Sequence, residues 1–270
     1  MCALTDRVDA KLLAGAPQLK VVANIAVGYN NIDLAACSAR GIMATNTPGV
    51  LDDSTADLAW ALMLGAARRL TELERRARAG EWTGWRLKQW LGVDVHHATL
   101  GIMGMGRIGR AVVRRASGFD MRILYNDPTR LPEADERQMG VTFVERERLL
   151  AEADFILVMV PYMPATHHLI GAAELARMKP TAILVNSARG GIVDDAALVE
   201  ALGAGRIAGA GLDVFDNEPN IDPAWFGVEN AVLYPHVGSA SVETRTAMGN
   251  LQVTNLRLHF AGKPVKTPVA

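Results

Sequence analysis

The segment TLGIMGMGRIGRAVVRRA, residues 99 to 116, constrains the fold more than any other stretch of the chain. A short β-rich apolar run leads directly into glycines at 104, 106 and 109, and a helical pattern begins at Arg107 and Ile108. In this G-x-G-x-x-G spacing Gly104 permits a tight turn, Gly106 lets backbone amides approach a pyrophosphate, and Gly109 lets the helix pack closely on the strand. The helix N-terminus adds unpaired N–H groups and the positive end of its dipole. Such a triplet alone arises by chance in glycine-rich loops. Here it stands between a strand and a helix, and Asp127 ends the next strand-like run, MRILYND. A carboxylate in that position accepts hydrogen bonds from ribose hydroxyls and repels a 2'-phosphate. These residues together imply a dinucleotide site for NAD or NADP. Asp127 favours NAD, and Arg130, three residues on, offers a charge that could neutralise a phosphate.

Further apolar runs occur at 20–26, 42–45, 121–125, 155–160, 182–186, 209–214 and 231–234, separated by longer helical patterns. Strands alternating with helices predict an α/β fold, a Rossmann-type doubly wound parallel sheet with helices on both faces. The 270 residues, half of them apolar, suffice for two domains. A long helix is expected from Ser54 to Ala79, stopped by Gly80, and another from Ser241 to Phe260. The loop GEWTGWRLKQWLG, residues 80 to 92, holds three of the five tryptophans. It reads either as a hairpin-like excursion anchored by burial in its own domain or as an oligomer contact, where Trp is favoured.

Composition narrows the function. With 28 Lys and Arg against 29 Asp and Glu, no global basic field favours nucleic acid or an anionic membrane surface. The two cysteines, Cys2 and Cys37, form neither a disulfide framework nor a metal-ligand spacing, and no metal is expected. A reducing, cytoplasmic compartment fits. The most apolar helix candidate is too short to span a bilayer.

Three polar residues follow late strand-like runs: Arg189 in VNSARGGIVDD, Glu218 in GLDVFDNEP and His236 in LYPHVGSAS. Open parallel sheets present their ligand crevice at strand ends. Reduction of a 2-oxo acid needs a hydride donor, a cation for the carboxylate and ketone, and an acid for the developing alkoxide. Arg189 offers a planar fork of donors, and His236 can release a proton near neutrality. A neighbouring Glu218 would favour the charged imidazole and fix its ring. Taken singly, each has an ordinary explanation, as a capping arginine, a turn carboxylate and a packed histidine. The pairs His96–His97 and His167–His168 are expected to diverge onto different faces, and His259 to lie at the surface or at an interface.

The segments VGYNNID, TLGIMGMGRIG, VNSARGGIVDDAALVEAL, AGLDVFDNEP and PHVGSAS together resemble the D-2-hydroxyacid dehydrogenase family over nearly the whole chain. GEWTGW, DVHHATLGIMGMGRIG and ILYN look closest to its glyoxylate/hydroxypyruvate reductases and 2-ketogluconate reductases. The resemblance implies that Arg189 binds substrate, that His236 is the acid/base and that Glu218 partners it. It also implies that backbone amides around Val27 and Gly28 hold the substrate carboxylate, that Asp213 hydrogen-bonds the nicotinamide carboxamide, and that Trp90 reaches the active site of a second subunit in a homodimer. Members using NADP usually lack an acid at the Asp127 position and carry basic residues beyond it.

The family fold implies a dinucleotide-binding domain at 73–237 and a smaller, flavodoxin-like substrate domain at 1–72, completed by 238–270. The resemblance implies a further N-terminal stretch, and that smaller domain shows only two good strands, so the chain is expected to lack roughly 50 N-terminal residues and to leave residues 1 to 50 mobile or covered by a partner. The alternatives are a nucleotide-sensing, corepressor-like protein, and a phosphoglycerate, formate or phosphite dehydrogenase.

Overall fold

The computed structural model describes residues 1 to 269. Its nine strands are β1 (Val21–Ala23), β2 (Met43–Thr45), β3 (Thr99–Met103), β4 (Arg122–Asn126), β5 (Val141–Phe143), β6 (Phe155–Val158), β7 (Ile183–Asn186), β8 (Gly209–Leu212) and β9 (Ala231–Leu233). The helices are α1 (Ala10–Gly15), α2 (Leu34–Ala39), α3 (Asp52–Ala67), α4 (Leu70–Arg78), α5 (Arg107–Ala116), α6 (Glu133–Met139), α7 (Arg146–Glu152), α8 (Ala172–Leu175), α9 (Asp195–Gly203) and α10 (Val242–Phe260). The chain divides into two compact units. One is Met1–Ser54 with Ser239–Ala270, and the other is Thr55–Gly238.

The larger unit is a seven-stranded, all-parallel sheet in the order β5-β4-β3-β6-β7-β8-β9. The order reverses between β3 and β6, which creates the switch point where doubly wound sheets take ligands. Strand residues alternate between two cores, as a sheet covered on both faces requires. Leu100, Ile102, Ile123, Tyr125, Phe155, Leu157 and Ile183 enter one core. Met103, Leu124, Ile156, Val158, Leu184 and Leu212 enter the other. The short edge strand β5 was not expected from the sequence, because three residues, Val-Thr-Phe, give too little alternation to read.

The division between units falls at residues 54 and 55, whereas the sequence placed it at 72 and 73. Most of α3 contributes to the larger unit's core through Ala56, Ala59, Leu62 and Met63. Trp60 stacks on Phe119 at 4.6 Å, and its indole N–H donates to the Val112 carbonyl at 3.2 Å.

The expected single helix from Ser54 to Ala79 is in fact two. Arg69 between them is left-handed (φ 54°), and the carbonyl of Ala67, at the end of α3, accepts the Val93 N–H at 2.9 Å. Arg69 also clamps the buried Glu72 through two 2.7 Å hydrogen bonds. The loop after α4 forms no strand, so it is not a hairpin. Trp82 and Trp85 stand 68% and 80% exposed, so burial in their own unit does not anchor them.

The smaller unit holds β1 and β2 as a parallel pair over an apolar core of Val8, Leu13, Val22, Ile32, Cys37, Ile42 and Ala44. Cys2 bridges to Asn24 beyond the end of β1, and Pro268 bridges to Thr45 in β2. Helix α10, which covers the stretch expected to be helical and is capped by Ser241, supplies a polar seam. Gln252 accepts the Thr45 hydroxyl at 2.6 Å and donates to the Asn24 carbonyl at 2.7 Å. Asn255 donates to Gln252 and Thr267 and accepts the Lys266 N–H. Gln252 and Asn255 are both wholly buried, so these bonds satisfy groups that would be costly to bury unpaired.

Candidate active site

In the larger unit β3 runs into the glycine loop, and a Cβ added at each glycine shows what that loop demands. At Gly104 (φ 99°) it would come within 2.7 Å of the Met159 carbonyl oxygen, and at Gly109 within 2.4 Å of the Gly104 carbonyl oxygen. At Gly106 it would meet nothing within 4 Å. The first and third glycines are therefore required by packing, while the second leaves open space beside the first turn of α5, where a pyrophosphate would approach. Arg107 and Ile108 open that helix, with Gly106 as its cap. The chemistry of the loop fits a dinucleotide.

Asp127 closes the same face. One carboxylate oxygen accepts the Met105 N–H at 2.8 Å, inside the glycine loop, and the other accepts the Thr129 N–H at 2.9 Å. The acid expected at the ribose is thus joined directly to the loop expected at the phosphates.

Arg189, Glu218 and His236 follow β7, β8 and β9, three adjacent strands of the sheet. Glu218 and His236 meet: an oxygen of Glu218 lies 2.7 Å from Nδ1 of His236, and the other oxygen accepts the Phe215 N–H at 2.9 Å. The contact is made through Nδ1, which leaves Nε2 as the imidazole nitrogen not committed to Glu218, and both side chains are partly exposed. Burial works to raise the Glu218 carboxyl, but the hydrogen bond and charge of His236, the Phe215 amide and Arg189 together hold it below the usual range. Burial pulls the Arg189 guanidinium below its ordinary value, and Glu218 offsets part of this.

Two residues hold the site in shape without having been assigned that task from sequence. Asn186, at the end of β7, accepts the Ala188 N–H and donates to the Arg189 carbonyl, an Asx-type turn that fixes the backbone carrying Arg189. The Asn two residues after Leu184 and before a glycine pair is a sequence signal for such a turn. Asp213 is 1% exposed. Its two oxygens accept the Val237 and Gly238 N–H groups at 2.7 and 2.8 Å, and its backbone carbonyl accepts the His236 N–H at 2.9 Å. Burial raises its carboxyl, with the two amides opposing. His236 itself sits in the left-handed region (φ 54°), a conformation that this tether sustains.

Val27 and Gly28 belong to the smaller unit. Their carbonyls accept the side-chain amides of Asn46 and Asn24 at 2.8 and 2.9 Å. Trp90 is half-buried and left-handed (φ 56°). The histidine pairs do not diverge as expected. His167 and His168 stack at 3.9 Å, with His168 drawn to Asp194 and Asp216 at 3.6 and 3.7 Å, and the Nδ1 atoms of His96 and His97 lie 2.8 Å apart. Among the described residues no helix is long and apolar enough to cross a membrane.

The chain was compared with known proteins. Residues 60–238 match the model for the NAD-binding domain of D-isomer specific 2-hydroxyacid dehydrogenases. The glyoxylate reductase of Thermococcus onnurineus is 50% identical over 257 residues, which cover 94% of this chain and 77% of that protein. The glyoxylate/hydroxypyruvate reductase B of Erwinia tasmaniensis is 45% identical, over 97% of this chain and 82% of that protein. A crystal structure of an NADPH-dependent glyoxylate/hydroxypyruvate reductase from Sinorhizobium meliloti, in complex with NADP and malonate, superposes with a TM-score of 0.90 at 39% identity, covering 99% of this chain and 83% of that one. A glycine loop shaped for a dinucleotide, a His–Glu pair at neighbouring strand ends and these matches agree, and the chain belongs to the D-isomer specific 2-hydroxyacid dehydrogenases, NAD(P)-dependent oxidoreductases.

Proposed function

We propose that the protein reduces a small 2-oxo acid of the glyoxylate or hydroxypyruvate type to the D-2-hydroxy acid, with 2-ketogluconate as the larger candidate. The observation that carries this reading is the 2.7 Å pair of Glu218 with Nδ1 of His236, which presents Nε2 as the proton-bearing atom. A dinucleotide held at its phosphates and ribose by Gly104, Gly106, Arg107, Ile108, Gly109 and Asp127 would supply the hydride from its nicotinamide. His236 delivers a proton from Nε2 to the developing alkoxide oxygen, and Glu218 stabilises the charged ring before that transfer. Arg189 holds the carboxylate and polarises the ketone. By the family resemblance, the amides around Val27 and Gly28 bind the substrate carboxylate, and Asp213 orients the nicotinamide carboxamide. The domain roles follow: the larger unit, Thr55–Gly238, serves the dinucleotide, and the smaller, Met1–Ser54 with Ser239–Ala270, serves the substrate.

The working form is a homodimer in the cytoplasm. The exposed Trp82 and Trp85 support the dimer, in which Trp90 of one subunit walls the pocket of the other. The free cysteines suit a reducing compartment. The relatives named above favour an enzyme over a corepressor-like sensor. Steady-state rates with glyoxylate, hydroxypyruvate, pyruvate and 2-ketogluconate, each with NADH and NADPH, test the reading. The expected result is highest kcat/KM for one of the two smallest hydroxylated or aldehydic acids, and no turnover with any substrate would overturn it.

A further inference from the structure

The loop after β4, residues 127 to 132, carries one acid, Asp127, and one base, Arg130. Asp127 is fixed by the Met105 and Thr129 amides, so a 2'-phosphate would meet its charge. A base three residues away could offset that repulsion, but the structure commits it elsewhere. Arg130 donates through Nε and Nη2 to both oxygens of Glu136 at 2.9 Å each, and its guanidinium lies 5.6 Å from the Phe143 ring centroid.

Glu136, in α6, is itself anchored from beneath. The hydroxyl of Tyr125, a wholly buried residue of β4, donates to it at 2.7 Å, and the same hydroxyl accepts the Leu131 N–H at 2.8 Å. Glu136 is 8% exposed. Hydrogen bonds from Arg130 and Tyr125 bring its carboxyl down to about 2, so it is an anion throughout the neutral range. The two-point carboxylate pair engages Nε and Nη2 of the planar fork, and a phosphate would have to displace that carboxylate to recruit the same donors.

Resting on the reading of this face as the dinucleotide site, we propose that Glu136 is a specificity-determining residue that disfavours a 2'-phosphorylated dinucleotide by holding Arg130 in a bidentate pair. Asp127 repels the phosphate directly, and Glu136 withholds the cation that would compensate. Neither Glu136 nor Arg130 takes part in proton transfer.

The test is direct binding, read by quenching of protein fluorescence on titration with NADH and with NADPH, in the wild type, Glu136→Gln, Arg130→Ala and the double variant. Glutamine keeps an oxygen for Tyr125 but loses the charge that holds Arg130. Affinity for NADPH should rise about tenfold in Glu136→Gln, the size of one charge-assisted hydrogen bond gained, with NADH changed less than about twofold. The gain should vanish in the double variant, and Arg130→Ala alone should change neither affinity by more than about twofold. An unchanged NADPH/NADH ratio in folded Glu136→Gln, or a gain that survives removal of Arg130, would overturn the proposal. Should Glu136→Gln fail to fold, Arg130→Lys serves, because a lysine cannot make the two-point pair. Its NADPH affinity should rise while NADH is unaffected, and no rise counts against the idea. Failure of the wild type to bind either dinucleotide would instead overturn the site reading itself.

Discussion

The two units are held in shape by opposite means. In the larger, the cofactor loop depends on what its residues lack: Gly104 and Gly109 admit no Cβ because backbone carbonyls stand within 2.7 and 2.4 Å of it. In the smaller, β1 and β2 depend on what α10 brings, the buried side-chain amides of Gln252 and Asn255. The first arrangement fails when an atom is added and the second when a polar atom is removed. Neither principle carries the proposed chemistry, which we assign to side chains that follow β7, β8 and β9.

His236→Ala gives the largest separation of chemistry from architecture. Turnover should fall on the order of 10²-fold or more, while the NADH dissociation constant shifts less than about twofold, as measured by stopped-flow reduction and fluorescence titration. Near-normal turnover would remove His236 from the mechanism.

Gly109→Ala breaks the larger unit at the point where volume is forbidden. The obstructing atom is backbone, so the cost should be about 3 kcal/mol, the upper part of the overpacking range, accompanied by at least tenfold weaker NADH binding. Hydrogen exchange in β1 and β2 should be unaffected. Normal NADH affinity in this variant would show that the loop relaxes and that the contrast between the units is overstated.

Gln252→Leu tests the smaller unit by taking away polar atoms at similar volume. The Thr45 hydroxyl and Asn24 carbonyl lose their partner, which should destabilise that unit by about 1–2 kcal/mol and speed amide exchange in β1 and β2. NADH affinity should be unchanged. Equal protection in the variant and the wild type would mean that the apolar core alone holds the strands.

Much of this was legible before any coordinates. The glycine loop after β3, its neighbour Asp127 and the meeting of Glu218 with His236 could be read because these residues follow strands, and a parallel sheet gathers its strand ends on one edge. The break at Arg69 could not be read, since a left-handed arginine inside a helical pattern is imposed by the Val93 amide arriving from a distant loop. Nor could the roles of Gln252 and Asn255. Amides on a helix usually face water, and only their partners at Thr45, Asn24 and Thr267 show otherwise. Glu136 was equally silent, because its partners come from β4 and from a loop, with no spacing rule linking them. Periodicity reports which way a residue faces, while long-range polar pairing leaves no period to find.

The tether at Asp213 has a consequence for how this site could be moved or inherited. The left-handed His236 takes its position from the backbone carbonyl of residue 213 as well as from the carboxylate beside it. The heritable module is therefore the residue that follows β8 together with the loop after β9, two stretches of sequence that must travel as one. A transplant of Pro235 to Gly238 into another parallel sheet would carry the histidine but leave behind the conformation that aims it, unless an aspartate were already waiting at the end of the neighbouring strand.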